Sequence, residues 1–173
     1  YVPRDFIVDP MNGKWSGKWI YFSMGSMGSI DLSLMRRILG ALGSTAHKYI
    51  VSLGPRASEI DFLPPNAWGQ KYLPQLQLVP LVDLVITHGG NNTVTEVFAL
   101  GRPMVVLPLW GDQFDNAQRL QETGFGVRLD PYHFDPQEMA DAIDRLIDDR
   151  VLKEKMALAS DRILTSNKHG ELV

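Results

Sequence analysis

The sequence predicts an open parallel α/β sheet with helices on both faces. Strand-like and helical patterns alternate along the chain in units of about 30 residues, the period of a strand plus its crossover helix. The apolar run Leu84-Val85-Ile86 has the length of a buried parallel strand. It feeds a polar glycine turn, Thr87-His88-Gly89-Gly90-Asn91-Asn92-Thr93, which opens a helical pattern through Val94, Val97 and Phe98. A strand, a glycine turn and a helix N-terminus gather free N–H groups and a positive dipole end, which is a ready site for phosphate. Ligands of such sheets bind at the carboxyl ends of the strands. The turns at Ser23, Tyr72, His88 and Asp112 all fall there in this reading.

Composition sets the outer limits. With 173 residues, 45% hydrophobic and 21% charged, the chain suits one globular domain with a sizeable core. A net charge of −3 argues against a broad nucleic-acid surface, so any phosphate selectivity has to come from a loop. Without cysteine there is neither a disulfide framework nor a thiolate metal site. No run approaches the roughly 18 apolar residues of a spanning helix, so no membrane contact is expected of this domain. A soluble domain in a cytoplasmic setting is favoured, with a membrane-anchored parent chain left open.

In chain order, residues 1–17 carry Pro3, Pro10, Gly13 and Gly17 without a sustained period and read as a linker, ahead of one domain over 18–173. Lys18 to Phe22 is a short strand, and Ser23-Met24-Gly25-Ser26-Met27-Gly28 is its turn. Met35, Ile38, Leu39 and Leu42 then repeat at helical spacing, with Asp31 as N-cap and Gly43 as the stop. Ser23 stands where the dinucleotide fingerprint requires its first glycine, which weighs against a nicotinamide cofactor. His47 to Leu53 is a second strand, Arg56 to Pro65 a loop, and Asn66 to Gln70 a weak third strand leading to Tyr72-Leu73-Pro74-Gln75. Pro103 to Leu107 is a buried strand and Pro108 to Gly111 its turn. A helix runs to Thr123 and ends at Gly124, with Asp115-Asn116 better placed than Asp112 to cap it. Gly126 to Leu129 is the last strand. Asp135-Pro136-Gln137-Glu138 starts a helix through Met139, Ile143, Leu146 and Ile147, and Leu152, Met156, Ala159 and Ile163 mark another.

Several of these residues together resemble a family signature. His88-Gly89-Gly90-Asn91-Asn92-Thr93, Glu96, Gly101-Arg102-Pro103-Met104-Val105 and Asp112-Gln113 are similar to the pattern of UDP-dependent glycosyltransferases of the detoxification and natural-product type. The interval of 24 positions from residue 88 to residue 112 is also the family's. The resemblance implies the Rossmann-like C-terminal half of a GT-B fold, which binds a UDP-sugar donor. An acceptor-binding N-terminal domain, absent here, would lie across a cleft and hold a small lipophilic acceptor together with the catalytic base. By the same resemblance Ser23, Gly25 and Ser26 face the diphosphate, and Tyr72 stacks on uracil in place of the usual tryptophan, with Gln75 close to the base. His88, Gly90, Asn92 and Thr93 meet the phosphates, Glu96 takes the ribose hydroxyls, and Asp112 with Gln113 holds a hexose, glucose being favoured. The 16 positions from residue 72 to residue 88 are similar to bacterial members, which is the basis for the cytoplasmic expectation.

The implied chemistry is direct inverting displacement at the anomeric carbon with UDP leaving, and no catalytic residue in this domain. No Asp-x-Asp occurs, so no metal and no cofactor is expected, and a helix dipole with hydrogen bonds would stabilise the leaving diphosphate. Plainer readings stand beside these. Thr93-x-x-Glu96 is also a capping box, Tyr72 also suits a half-buried core position, and Ser23 to Gly28 also suits an ordinary polar turn. A donor-binding subunit of a two-chain enzyme and a UDP-sugar epimerase domain are the alternative functions.

Overall fold

The structure, a computed structural model, describes residues 17–170, with side chains described through residue 166. Residues 1–16 of the expected linker lie outside the described residues. Six strands form one wholly parallel sheet: β1 Trp19–Ser23, β2 Lys48–Ser52, β3 Ala67–Gln70, β4 Leu84–Thr87, β5 Met104–Val106 and β6 Gly126–Arg128. Their order across the sheet is β3-β2-β1-β4-β5-β6. The chain therefore moves outward from β1 through β2 to β3, then returns to the other side of β1 at β4. That reversal leaves a crevice between the carboxyl ends of β1 and β4, the switch point at which such sheets bind ligands.

The central strands are apolar on both faces because both are covered. Ile20 and Phe22 of β1 and Leu84 and Ile86 of β4 point into one buried cluster, while Tyr21 and Val85 point into the other. The first cluster is closed by α2 (Leu32–Leu42), α6 (Pro136–Asp148) and the start of α7 (Arg150–Gly170), through Met35, Ile38, Leu39, Met139, Ile143, Leu152 and Met156. The second is closed by α4 (Asn91–Ala99) and α5 (Asp112–Thr123), through Val97, Ala117 and Leu120. Further along, Ser160 Oγ of α7 donates to the Ala99 carbonyl at 2.5 Å and ties that helix to the end of α4. Two one-turn helices, α1 (Gly25–Gly28) and α3 (Gln75–Leu78), follow β1 and β3. Among the described residues no helix is long and apolar enough to cross a membrane.

Local signals predict several helix ends well. Asp31 caps α2 by accepting from Leu34 N–H at 3.0 Å, and Asp135 with Glu138 forms a complete capping box on α6. Gly43 follows α2 as expected, but in a right-handed conformation, so its role there does not depend on a positive φ. The expected loop from Arg56 to Pro65 contains a short 3₁₀ turn, Ala57–Glu59. The expected cap at Asp115-Asn116 is not what starts α5. That helix begins at Asp112, preceded by Gly111 at φ +58° and ψ −134°, a conformation reserved for glycine. Asp115 thus sits inside the first turn, where its charge suits the dipole, and Asn116 is freed for another task.

Candidate functional site

The four expected turns converge on the carboxyl edge of the sheet. Ser23 ends β1, His88 follows β4 directly, Tyr72 and Gln75 follow β3, and Asp112 opens the helix after β5. At the β1/β4 crevice the His88 ring lies against two glycines. A Cβ on Gly25 would stand 2.8 Å from His88 Cε1, and one on Gly90 would stand 2.6 Å from Nε2. A larger residue at either position would force the ring to shift. Gly25 also needs its freedom for φ +67°. Burial holds the imidazole pKa below its ordinary value, with the nearby Asp112 carboxylate opposing the shift, so the ring is neutral at pH 7.

Gly90 occupies the N-cap of α4 and provides no side-chain cap, so the first-turn amides of this nine-residue helix are not covered by a capping side chain. Asn91 and Asn92 are exposed at that end, and Thr93 is partly so. The capping-box alternative for Thr93 and Glu96 does not form, because Thr93 is already inside the helix. Glu96 turns instead to the β3 side, where its Oε2 accepts from Gln75 Nε2 at 2.7 Å. One carboxylate oxygen is thereby engaged and oriented.

Beside this pair lies a cavity of about 240 Å³ lined by Tyr21, Ser23, Ser52, Gly54, Tyr72 and Gln75, among others. Tyr72 is 60% exposed, which removes the core-residue alternative and presents a ring face at the rim. The Tyr21 phenol is buried close to Ser23 and Ser52; burial raises its pKa, the two serines oppose the shift, and the negative charge of Glu96 adds to it. Ser23 Oγ accepts from Gly25 N–H at 3.3 Å, so it shapes the turn, while Ser26 is exposed. Asp112 is exposed, but Gln113 is only 3% so. Gln113 Oε1 accepts from Leu109 N–H at 2.8 Å and Trp110 N–H at 3.3 Å, holding the turn after β5. The expectation that this amide both donates and accepts toward a sugar is corrected: its acceptor is spent on the backbone.

Two residues that pattern reading passed over reach the same turn. Asn116 Nδ2 donates to the Gly89 carbonyl at 3.0 Å, clamping the glycine turn from α5. Thr87, fully buried, has its hydroxyl 3.3 Å from His88 Nδ1 and 3.4 Å from Gly89 N. The first is masked by the cap-like Asp115-Asn116 pair; the second is read as the start of the turn, whereas it ends β4 with its side chain buried. Among the described residues no three His, Asp or Glu side chains cluster as metal ligands.

Residues 15–163 match the sequence model of the family described as UDP-glucoronosyl and UDP-glucosyl transferase. The chain belongs to that family. Among relatives of this transferase family, human UDP-glucuronosyltransferase 1A7 is 36% identical over 159 residues, covering 90% of this chain and 29% of the relative. UDP-glucuronosyltransferase 1A6 of Oryctolagus cuniculus is 36% identical over 141 residues, covering 79% and 26%. The chain thus spans under a third of the length of these curated relatives. The solved glycotransferase of kitacinnamycin superposes with a TM-score of 0.77 at 25% identity, over 91% of this chain and 43% of that one. A spinosyn rhamnosyltransferase complexed with thymidine diphosphate shares the fold with a TM-score of 0.76 at 24% identity, over 95% and 45%. Of the residues that resemble the family signature, His88 to Asn91 and Asp112 lie at the carboxyl edge of the sheet, whereas Gly101 to Pro103 lead into the amino end of β5.

Proposed function

We propose that this chain is the donor-binding domain of an inverting, metal-independent glycosyltransferase that uses a UDP-hexose, glucose favoured, and a small lipophilic hydroxyl acceptor. The observation that carries the reading is the Gln75–Glu96 hydrogen bond at 2.7 Å beside the Tyr72 cavity. It joins the segment that carries a flat exposed ring and an amide to an oriented carboxylate on α4, which is what a ribonucleoside needs. The ring offers stacking, and the remaining Glu96 oxygen accepts from ribose hydroxyls. The diphosphate then runs toward His88, Gly25, Gly90 and the N-terminus of α4, with Ser26, Asn92 and Thr93 as neighbouring donors. The sugar lies toward Asp112 and Gln113.

In this reading the domain works by positioning and electrostatics. Negative charge that grows on the β-phosphate oxygen as the C–O bond breaks is met by first-turn amides and the neutral His88, dipoles already in place. The acceptor's proton goes to a base outside these residues. Calorimetric titration of the chain with UDP, UDP-glucose, UDP-glucuronate and thymidine diphosphate, each with and without EDTA, tests the proposal. UDP binding that survives EDTA, with UDP-glucose preferred among the sugars, is the expected result. Binding that vanishes with EDTA, or a preference for thymidine diphosphate over UDP, overturns it.

A further inference from the structure

Thr87 lies beneath the glycine turn between β4 and α4. It is the last residue of β4, 0% exposed, with Oγ1 placed between two nitrogens. Gly89 N, at 3.4 Å, has only a hydrogen to offer, so Oγ1 accepts from it. A buried hydroxyl must also place its own hydrogen, and the remaining partner is His88 Nδ1 at 3.3 Å. Nδ1 therefore accepts, and in a neutral imidazole the proton sits on Nε2. Nε2 faces the slot between the two glycine turns, 2.6 Å from the position of a Gly90 Cβ and 3.0 Å from that of a Gly25 Cβ.

We propose that Thr87 is a positioning residue that holds His88 as the Nε2–H tautomer, so that an uncharged ring presents a hydrogen-bond donor to the donor diphosphate. The last clause rests on the function proposed above; the hold on the tautomer does not. Without the hydroxyl the ring is free to move its proton to Nδ1, turning an acceptor lone pair toward an anion. A donor and an acceptor at the same site are opposite in sign to a phosphate oxygen, so the tautomer decides whether the histidine helps or opposes binding.

Long-range proton–nitrogen NMR spectra of the labelled chain at pH 7.5, with His88 assigned by the loss of its signals in His88→Gln, read the tautomer directly. Nε2 protonated and Nδ1 bare is the expected state of the unaltered chain. Thr87→Val should give a mixture of tautomers and weaken UDP only by the reciprocal of the remaining Nε2–H share, about twofold for an even mixture, while uridine binds as before. Thr87→Ser should restore both. Nδ1–H in the unaltered chain overturns the inference, as does Thr87→Val with tautomer and UDP affinity unchanged. If Thr87→Val fails to fold, the tautomers of the unaltered chain and of Thr87→Ser decide. An Nε2–H ring that becomes a mixture in Thr87→Val, in a chain that binds no UDP, supports the hold by Thr87 and sinks the donor reading alone.

Discussion

Replacing Gly90 with alanine isolates the contact between the glycine turn and the histidine ring. Gly90 sits at φ −60° and ψ 142°, a conformation any L-residue adopts, so the backbone accepts the change. The new methyl carbon would stand 2.6 Å from His88 Nε2, where ordinary contact begins near 3.4 Å. The ring must therefore retreat by about 0.8 Å, which stretches an N–H···O bond of about 2.9 Å beyond the useful range. A hydrogen bond to a charged group contributes about 1.5–3 kcal/mol, and 1.4 kcal/mol is about tenfold, so UDP should bind roughly 10- to 150-fold more weakly. Stability should fall by at most about 2.6 kcal/mol, because an unfolded-state gain of about 0.4–1 kcal/mol offsets part of an overpacking cost of about 1–3 kcal/mol. Calorimetry with UDP and uridine separates the effects, since uridine lacks the phosphates and should bind Gly90→Ala as it binds the unaltered chain. Equal UDP affinity in the two proteins, or an equal loss for uridine, would refute the placing of the diphosphate beside His88.

Tyr72→Ala should weaken UDP and uridine alike by about 1–3 kcal/mol, the scale of base–aromatic stacking, and leave the melting temperature in place because the ring is 60% exposed; a loss confined to UDP would contradict a base-side role. Asp135→Ala removes the capping box of α6 and should cost about 1 kcal/mol, seen as about 2–4 °C in thermal unfolding, with UDP affinity unchanged. The lowered pKa of His88 predicts a pH effect on stability. Between that pKa and the ordinary value of 6.5 the unfolded chain binds the proton and the folded chain does not, so stability falls as pH drops through this window. Urea unfolding at pH 7.5 and 5.5 should show a smaller drop in His88→Gln, and an identical drop would count against burial as the cause.

What was legible in the sequence is what local chemistry dictates. Leu84-Val85-Ile86 reads as a buried strand because both its faces are covered, and Asp135-Pro136-Gln137-Glu138 reads as a helix start because cap and capped amides lie within one turn. The start of α5 differs from the expected Asp115-Asn116 cap because what shapes it is not a cap. Gly111 turns the chain there and Gln113 holds the turn, while Asn116 reaches across 27 positions to Gly89. The Thr93–Glu96 pair has the spacing of a capping box, yet the partner of Glu96 is 21 positions upstream on another element. Spacing rules see neighbours along one helix and cannot see a competitor delivered by the sheet. The short helix Gln75–Leu78 has no periodic signature at all, because Pro74 and Pro80 bracket it.

Asp112 and Gln113 show how far adjacency in sequence misleads about chemistry. As a pair they read as two ligands of one sugar, one accepting and the other free to donate and accept. Successive residues at a helix start point about 100° apart, so one faces the crevice opening while the next turns under the preceding loop. Asp112 keeps an exposed carboxylate near His88, and Gln113 is buried with its carbonyl oxygen committed to Leu109 and Trp110. What Gln113 retains for a ligand is Nε2, a donor only, beside a carboxylate that only accepts. Such a pair suits neighbouring hydroxyls, one giving its hydrogen to Asp112 and the next receiving one from Gln113. It also makes the Gln113 amide a structural element first: removing it would free the turn that carries Asp112, so a loss of sugar binding in Gln113→Ala measures the turn as much as the contact.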